Sequence, residues 1–198
     1  MTKNKRIKCN FENKHFIDEN SAEYKNKCKF NNREDKEPLS KFYDNHLFRY
    51  SLTYKIKEDG ESITVILMNP SYADEYGLDR TLCNVRDFIE NYTKFSKFEV
   101  LNVFPIRTPN SNQVLTLMNN YSDIQKENDR HIRNVLSKSN YVLVAWGGKY
   151  HNKAKWILDL LKNKNVYAYG INKNKSPRHF APQAYNNVDV KQLINYPL

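Results

Sequence analysis

The feature that most constrains the fold is the run of residues 63–68, which is apolar at nearly every position. A strand with one solvated face alternates apolar and polar residues, whereas an unbroken apolar run of this length is typical of a strand covered on both faces. The run is far too short to cross a bilayer. We therefore expect a central strand of a sheet that is packed between helices.

The rest of the chain repeats this pattern in alternation with helical spacing of apolar residues. The predicted elements follow in the order helix 82–92, strand 98–104, helix 113–136, strand 141–146, helix 154–161 and strand 166–169. Such alternation indicates a parallel sheet with right-handed crossovers and helices on both faces. Residues 50–57 alternate as a half-solvated strand does, and the turn at 58–61 predicts a hairpin with residues 63–68. The predicted class is α/β: a three-layer α/β/α domain with a central, mainly parallel four-stranded sheet plus an N-terminal β-hairpin strand.

Length and composition suit one folded unit. A chain of 198 residues buries one ordinary core. Residues 1–45 are polar and show no sustained period, so we expect a polar, basic N-terminal extension before a single α/β domain at 46–198. Residues 1–9 are basic and lead into polar sequence rather than an apolar run, which does not indicate a signal peptide. We expect a cytoplasmic protein that does not enter a membrane.

The cysteines give no sign of a disulfide framework. There are three, without paired spacing, which suits a reducing compartment. A zinc site from Cys9, His15 and Cys28 is conceivable, but it would lack the close ligand pair and the fourth ligand that structural zinc sites show. We expect neither a metal nor an organic cofactor.

The charge is basic and unevenly distributed. The net charge is +10, and residues 146–178 carry eight Lys and Arg side chains against one carboxylate, Asp159. Clustered cations favour a polyanionic partner, because contact with phosphates releases counterions. The alternative is that lysines, abundant throughout this chain, simply solvate the surface.

Several enzyme classes lack their motifs here. There is no Gly-rich phosphate loop and no G-x-G-x-x-G, and five glycines are few for either. Ser71 does not stand in a G-x-S-x-G turn. Kinase, dehydrogenase and serine hydrolase chemistry are therefore not indicated.

Polar residues and glycines instead follow the predicted buried strands. In parallel sheets, ligands bind beyond the carboxyl ends of the strands. Each residue taken singly has an ordinary structural explanation, such as a turn, a cap or a surface histidine. Their coincidence at one edge of the sheet favours a site. The residues are Asn69 and Ser71, Asn102 and Arg107, Gly147 and Gly148, and Arg178 and His179.

Four ordered motifs carry a resemblance to known families. The segments 68–74, 102–108, 145–147 and 177–179 closely resemble the bacterial domain of unknown function 1643 family, over about residues 50–182, which implies no established activity. A more distant resemblance is to the uracil-DNA glycosylase superfamily, and the asparagine in the first motif is similar to the mismatch-specific branch. This chain departs from that superfamily at 177–179, where His-Pro-Ser is usual, and has no aspartate in the catalytic position of the first motif. The matching positions are Asn69-Pro70, Asn102, Trp146-Gly147 and His179.

The resemblance implies a DNA glycosylase that hydrolyses the N-glycosidic bond of a flipped uracil, mismatched or modified base. Asn69 would then position the attacking water, and His179 would donate a hydrogen bond to the departing base. Asp74 or Asp79 would supply the carboxylate that the catalytic position of the first motif lacks. Asn102 would bind the edge of the base, and Tyr72 or Tyr76 would stack on it.

The same resemblance implies a surface for single- or double-stranded DNA on a protein that we expect to be monomeric. Arg178 and Phe180, which flank His179, would enter the duplex. Two other functions stay open: a non-catalytic nucleic-acid-binding module of the same fold, and a hydrolase of free nucleosides or nucleotides. The expected nucleic-acid contacts are Ser71, Arg107, Lys149, Lys173, Lys175, Ser176, Arg178 and Phe180.

Overall fold

The computed structural model describes residues 28–29, 39–43, 47–73, 77–186 and 192–198. Within these ranges the strands are β1 (Cys28–Lys29), β2 (Leu39–Tyr43), β3 (Phe48–Lys55), β4 (Ser62–Leu67), β5 (Gly77–Leu78), β6 (Lys97–Asn102), β7 (Tyr141–Val144), β8 (Asn165–Ala168) and β9 (Ile194–Asn195). The helices are α1 (Arg80–Tyr92), α2 (Val114–Met118), α3 (Ser122–Lys138), α4 (His151–Asp159) and α5 (Pro182–Tyr185), with a 3₁₀ turn at Ser111–Gln113. None of these helices combines the length and the apolar character needed to cross a membrane.

The main sheet has the strand order β2-β3-β6-β4-β7-β8-β9 among the described residues. Its four middle strands, β6, β4, β7 and β8, run parallel to one another, while β2, β3 and β9 are antiparallel to their neighbours. The predicted α/β class is confirmed, and the sheet is wider than predicted. Because β2 precedes residue 46, the sheet includes residues on both sides of the predicted domain boundary.

The predicted hairpin between β3 and β4 is wrong. β6 lies between the two strands, antiparallel to β3 and parallel to β4. The connection at 56–61 passes the start of β6, where the N–H groups of Ile56 and Lys57 donate to the carbonyl of Ser96. Crossing one strand means spanning two strand spacings, about 9–10 Å. Six residues reach that far, whereas a tight turn does not.

Buried side chains cover both faces of the sheet. Along β4, Ile66 belongs to one cluster, and its neighbours Val65 and Leu67 belong to the other. Successive strand residues point to opposite faces, so the two clusters lie on opposite sides of the sheet. Ile132 of α3 joins the first cluster, and Phe88 of α1 joins the second. Residues 63–68 are all buried, as their apolar run predicts.

Candidate active site

The loops that follow β4, β6, β7 and β8 meet at the carboxyl edge of the sheet around a pocket of about 350 Å³. Asn69, Thr108, Gly147 and His179 line it, one from each loop, and Asp79 lines it from the start of α1. A volume of this size lies within the range of small-molecule sites. The pocket therefore lies where the strand order predicts a ligand site.

A larger cavity of about 600 Å³ lies at the opposite edge, lined by Glu61, Lys97 and Tyr141 among others. The described residues of its lining include no histidine. The carboxyl-edge pocket is the better candidate site despite its smaller volume, because it brings an amide, a carboxylate and an imidazole together.

Asn69 is partly buried and held in one orientation. Its Nδ2 donates to the carbonyl of Pro70 at 2.8 Å and to the carbonyl of Thr108 at 2.9 Å. Both amide hydrogens are thereby used, since a side-chain amide nitrogen has two. Among the described residues, no group donates to Oδ1, so Asn69 presents a fixed hydrogen-bond acceptor at the wall of the pocket.

Two buried arginines hold the loop that follows Asn69. The Nη1 of Arg49 donates to the carbonyl of Ala73 at 2.7 Å. Arg107 donates to the carbonyls of Ser71, Tyr72 and Ala73, each at 3.3 Å. Arg107 is only 5% exposed. Its guanidinium therefore supports the wall of the pocket. The prediction that Arg107 lies on a DNA-binding surface is wrong, because the side chain is buried.

Asp79 caps helix α1 and lines the pocket at the same time. Its Oδ1 accepts the N–H of Leu82 at 2.9 Å, as an N-cap carboxylate does. Its Oδ2 has one described donor, the N–H of Ala73 at the long distance of 3.4 Å. Asp79 is the one carboxylate in the lining of the pocket among the described residues. Oδ2 consequently keeps acceptor capacity.

His179 is partly buried, and its hydrogen-bonding fixes its tautomer. Nδ1 accepts the N–H of Ala181 at 3.0 Å, which places the ring proton of neutral His179 on Nε2. Burial lowers the pKa of His179, and the charge of Asp79 opposes that shift in part. The neutral imidazole with an Nε2–H donor is thus the form that this loop stabilises.

The loop around His179 is anchored from three sides. The hydroxyl of Tyr169 donates to the carbonyl of His179 at 2.5 Å, and burial raises the pKa of Tyr169 to about 12, which keeps that proton in place. Asn84 of α1 donates to the carbonyl of Phe180 at 2.9 Å. The ring of Phe180 is fully buried and packs on Tyr169, with ring centroids 4.2 Å apart. These contacts place His179 rigidly.

Gly147 allows the loops after β7 and β8 to approach each other. Its φ is 79°, in the left-handed region that favours glycine. A Cβ at this position would lie 3.2 Å from the Cβ of His179. Trp146 is 1% exposed, and its Nε1–H donates to Nδ1 of His151 at 3.1 Å. Trp146 therefore packs in the core, as we expect of most Trp-Gly pairs at strand ends.

Several predicted site residues do not reach the pocket surface. Asn102 is fully buried, and neither its Nδ2 nor its Oδ1 has a hydrogen-bond partner among the described residues. It pairs in register with Leu67, which lines the pocket, so it lies beside the lining rather than in it. Tyr72 also lies outside the lining. Asn102 and Tyr72 would not touch a base in this arrangement.

Besides Arg107, two more of the predicted DNA contacts are buried. Phe180 is 0% exposed and belongs to the core. The prediction that Phe180 enters a DNA duplex is therefore wrong in this arrangement. Ser176 is also 0% exposed, and its hydroxyl donates to Oδ1 of Asn174 at 2.6 Å. Burial removes both side chains from contact with phosphates.

The remaining predicted residues divide into those at the surface and those outside the described ranges. Lys149, Lys173 and Lys175 are exposed, and Arg178 is partly buried. Lys149 and Ser71 also line the pocket. Asp74 and Tyr76 lie outside the described residues, as do Cys9 and His15. In the described part of the chain, no group of three potential ligands is placed to hold a metal ion.

Sequence reasoning missed Arg49, Asn84 and Tyr169, which hold the two key loops. Arg49 precedes the predicted strand 50–57, and a charged residue there is more often solvated than buried. Asn84 lies inside a predicted helix, and Tyr169 ends the predicted strand 166–169, so both match ordinary patterns. No local signal marks these three residues, because their partners lie 24, 96 and 10 residues away.

A comparison with family models decides where the chain belongs. The model described as "Protein of unknown function (DUF1643)" matches residues 49–180. The chain is a member of the DUF1643 family. All four strand-end motifs lie within that match, and so do Asn69, Asp79 and His179. No significant match to the DUF1643 chain is found among curated proteins or solved structures. The resemblance to uracil-DNA glycosylases gains no support from these comparisons.

Proposed function

We propose that the carboxyl-edge pocket hydrolyses the N-glycosidic bond of a base that has been flipped out of DNA. The observation that carries the proposal is the meeting of three groups in one small pocket: the acceptor Oδ1 of Asn69, the carboxylate of Asp79 and the Nε2–H donor of His179. Hydrolysis of the bond to an uncharged base needs both a positioned water and stabilisation of the negative charge that develops on the leaving nitrogen.

The three groups divide the chemistry among them. Asn69 accepts a hydrogen bond from the attacking water and orients it, because its amide hydrogens are held by Pro70 and Thr108. Asp79 accepts the proton of that water through Oδ2. His179 donates from Nε2 to the oxygen or nitrogen of the base on which negative charge develops.

The step is balanced as an ordinary hydrolysis. The bond between the sugar C1′ and the base nitrogen breaks, and its electron pair leaves with the base. The water oxygen forms the new bond to C1′. The proton that Asp79 takes from the water is passed to the departed base, directly or through solvent, so the products are a neutral base and an abasic sugar.

The arrangement of the fold is compatible with this proposal. Four parallel strands with helices on both faces correspond to the three-layer α/β/α arrangement that the resemblance to uracil-DNA glycosylases implies. A fold supports many activities, so the weight of the proposal rests on the pocket.

The test is base release from defined substrates. Duplex and single-stranded oligonucleotides that carry uracil, a mismatched thymine or a modified base are incubated with the protein, and abasic sites are cleaved with alkali. We expect strand breaks with wild type and a loss of about 10²–10³ in rate in His179→Ala, which removes one charge-stabilising donor. The matched control is Asn163→Ala, because Asn163 is exposed in the turn before β8, at the opposite edge of the sheet.

A non-catalytic nucleic-acid-binding module is the second candidate function, favoured by the exposed lysines beside the pocket. It predicts DNA binding that weakens with salt, without base release from any substrate. Free nucleosides are tested in the same assay. Their hydrolysis without base release from DNA would indicate a hydrolase of small substrates rather than either of these two functions.

A further inference from the structure

The loop at residues 171–177, between β8 and His179, is closed by its own hydrogen bonds. Ile171 and Pro177 form an antiparallel bridge. Inside it, the N–H of Asn172 donates to the carbonyl of Ser176 at 2.8 Å, and the N–H of Lys175 donates to the carbonyl of Asn172 at 2.9 Å. The loop is therefore a rigid element rather than a loose connection.

Lys175 adopts a backbone conformation that disfavours lysine. Its φ is 64°, and it is the one non-glycine residue with positive φ among the described residues. The left-handed region is costly for a residue with a Cβ, and glycine and asparagine are the usual occupants. Backbone strain of this kind is concentrated at functional sites, which points to a function for the Lys175 side chain.

The strained residue is braced by the C-terminal segment. The hydroxyl of Tyr196 donates to the carbonyl of Lys175 at 2.7 Å. Tyr196 is itself buried and packs edge-on against Trp146, with ring centroids 6.4 Å apart. The side chains of Lys173 and Lys175 are exposed, and neither forms an ion pair with another described residue.

The loop adjoins the pocket directly. A Cβ on Gly148, which lines the pocket, would lie 3.2 Å from both Nδ2 of Asn174 and Oγ of Ser176. A DNA strand whose flipped base enters the pocket would pass this loop with its sugar-phosphate backbone. Lysines carried by a rigid backbone at that place match the spaced negative charges of a phosphate backbone.

We propose that the 171–177 loop binds the DNA backbone next to the flipped nucleotide, with Lys175 as its phosphate contact. The inference rests on the proposed function for the identity of the polyanion. If Lys175 binds phosphate at the expense of fold stability, replacing it should both stabilise the fold and weaken DNA binding.

The test combines thermal unfolding with DNA binding by fluorescence anisotropy at several salt concentrations. For Lys175→Asn and Lys175→Gly, relief of the strained backbone predicts that Tm rises by about 2–4 °C. Loss of one phosphate contact predicts a binding constant about eightfold lower at 0.1 M salt and a salt slope smaller by about 0.9. Lys175→Arg keeps both the charge and the strain, and we expect wild-type Tm and affinity.

The control for charge alone is Lys57→Asn, since Lys57 is exposed at the opposite edge of the sheet. If Lys175→Asn binds as wild type does, or if its Tm does not rise, the inference is wrong. An absence of DNA binding by wild type also overturns it. Base release by wild type with unchanged binding in Lys175→Asn refutes this inference alone, whereas weakened binding without any base release refutes the proposed catalysis alone.

Discussion

Replacing Asp79 separates two tasks that its carboxylate performs. Oδ1 caps helix α1 through the N–H of Leu82, and Oδ2 is assigned the proton of the attacking water. Serine and asparagine are good N-cap residues but are not carboxylates, so Asp79→Ser and Asp79→Asn keep the first task and remove the second. Asp79→Ala removes both.

The expected magnitudes differ enough to be resolved. Loss of an N-cap costs about 1 kcal/mol of the free energy of unfolding, or about 2–4 °C in Tm for a chain of this size. Loss of a general base lowers the rate by about 10²–10⁴. We therefore expect Asp79→Ser to unfold like wild type and to lose at least a hundredfold in base release, whereas Asp79→Ala loses both stability and activity.

The assay is single-turnover base release on the best substrate, with unfolding followed by circular dichroism. Single-turnover conditions keep product release out of the measured rate. If Asp79→Ser releases base within about threefold of wild type, the carboxylate has only a capping role, and the assignment of the general base is refuted.

The other predictions concern the groups around Asp79. Burial lowers the pKa of His179, so protonation of this side chain opposes folding. We expect the free energy of unfolding to be at its full value above pH 6.5, the ordinary pKa of histidine, and to decline as the pH falls through that value. The decline should be shallower in His179→Gln. Gly147→Ala at φ 79° should cost about 1–2 kcal/mol of stability and lower activity by displacing His179, which unfolding curves and base release measure. Asn69→Asp should lose about 1–3 kcal/mol and gain no activity, because a carboxylate oxygen would face the carbonyls of Pro70 and Thr108; a more active variant contradicts the hydrogen-bonding described for Asn69.

The order of strands and helices along the chain, and the edge of the sheet that carries the site, could be predicted from the sequence because these patterns are local. The apolar run at 63–68 and the alternation of strands with helices are local signals, and they place Asn69 and His179 at the carboxyl edge. The pairing of β3 with β6 is not local, because it depends on which buried strand occupies the centre of the sheet. The hairpin prediction was wrong for that reason.

Side-chain orientation within a loop could not be predicted. Asn102, Ser176 and Phe180 lie in the predicted loops or at strand ends, yet all three are buried, because each side chain finds space on the inner side. Position after a strand fixes the edge of the sheet but not the direction in which a side chain points. Asp79 could be proposed only as one of two carboxylates, and its place in the pocket follows from its role as the cap of α1.

The measurement that tests the central claim most directly is mass-spectrometric detection of free base after incubation of base-modified DNA with wild type and with Asn69→Ala. The proposed site predicts release by wild type that depends on the base, and a loss of about a hundredfold or more when Asn69 no longer orients the water. Release that is unchanged in Asn69→Ala, or no release by wild type from any substrate of a broad panel, would contradict the account of this pocket.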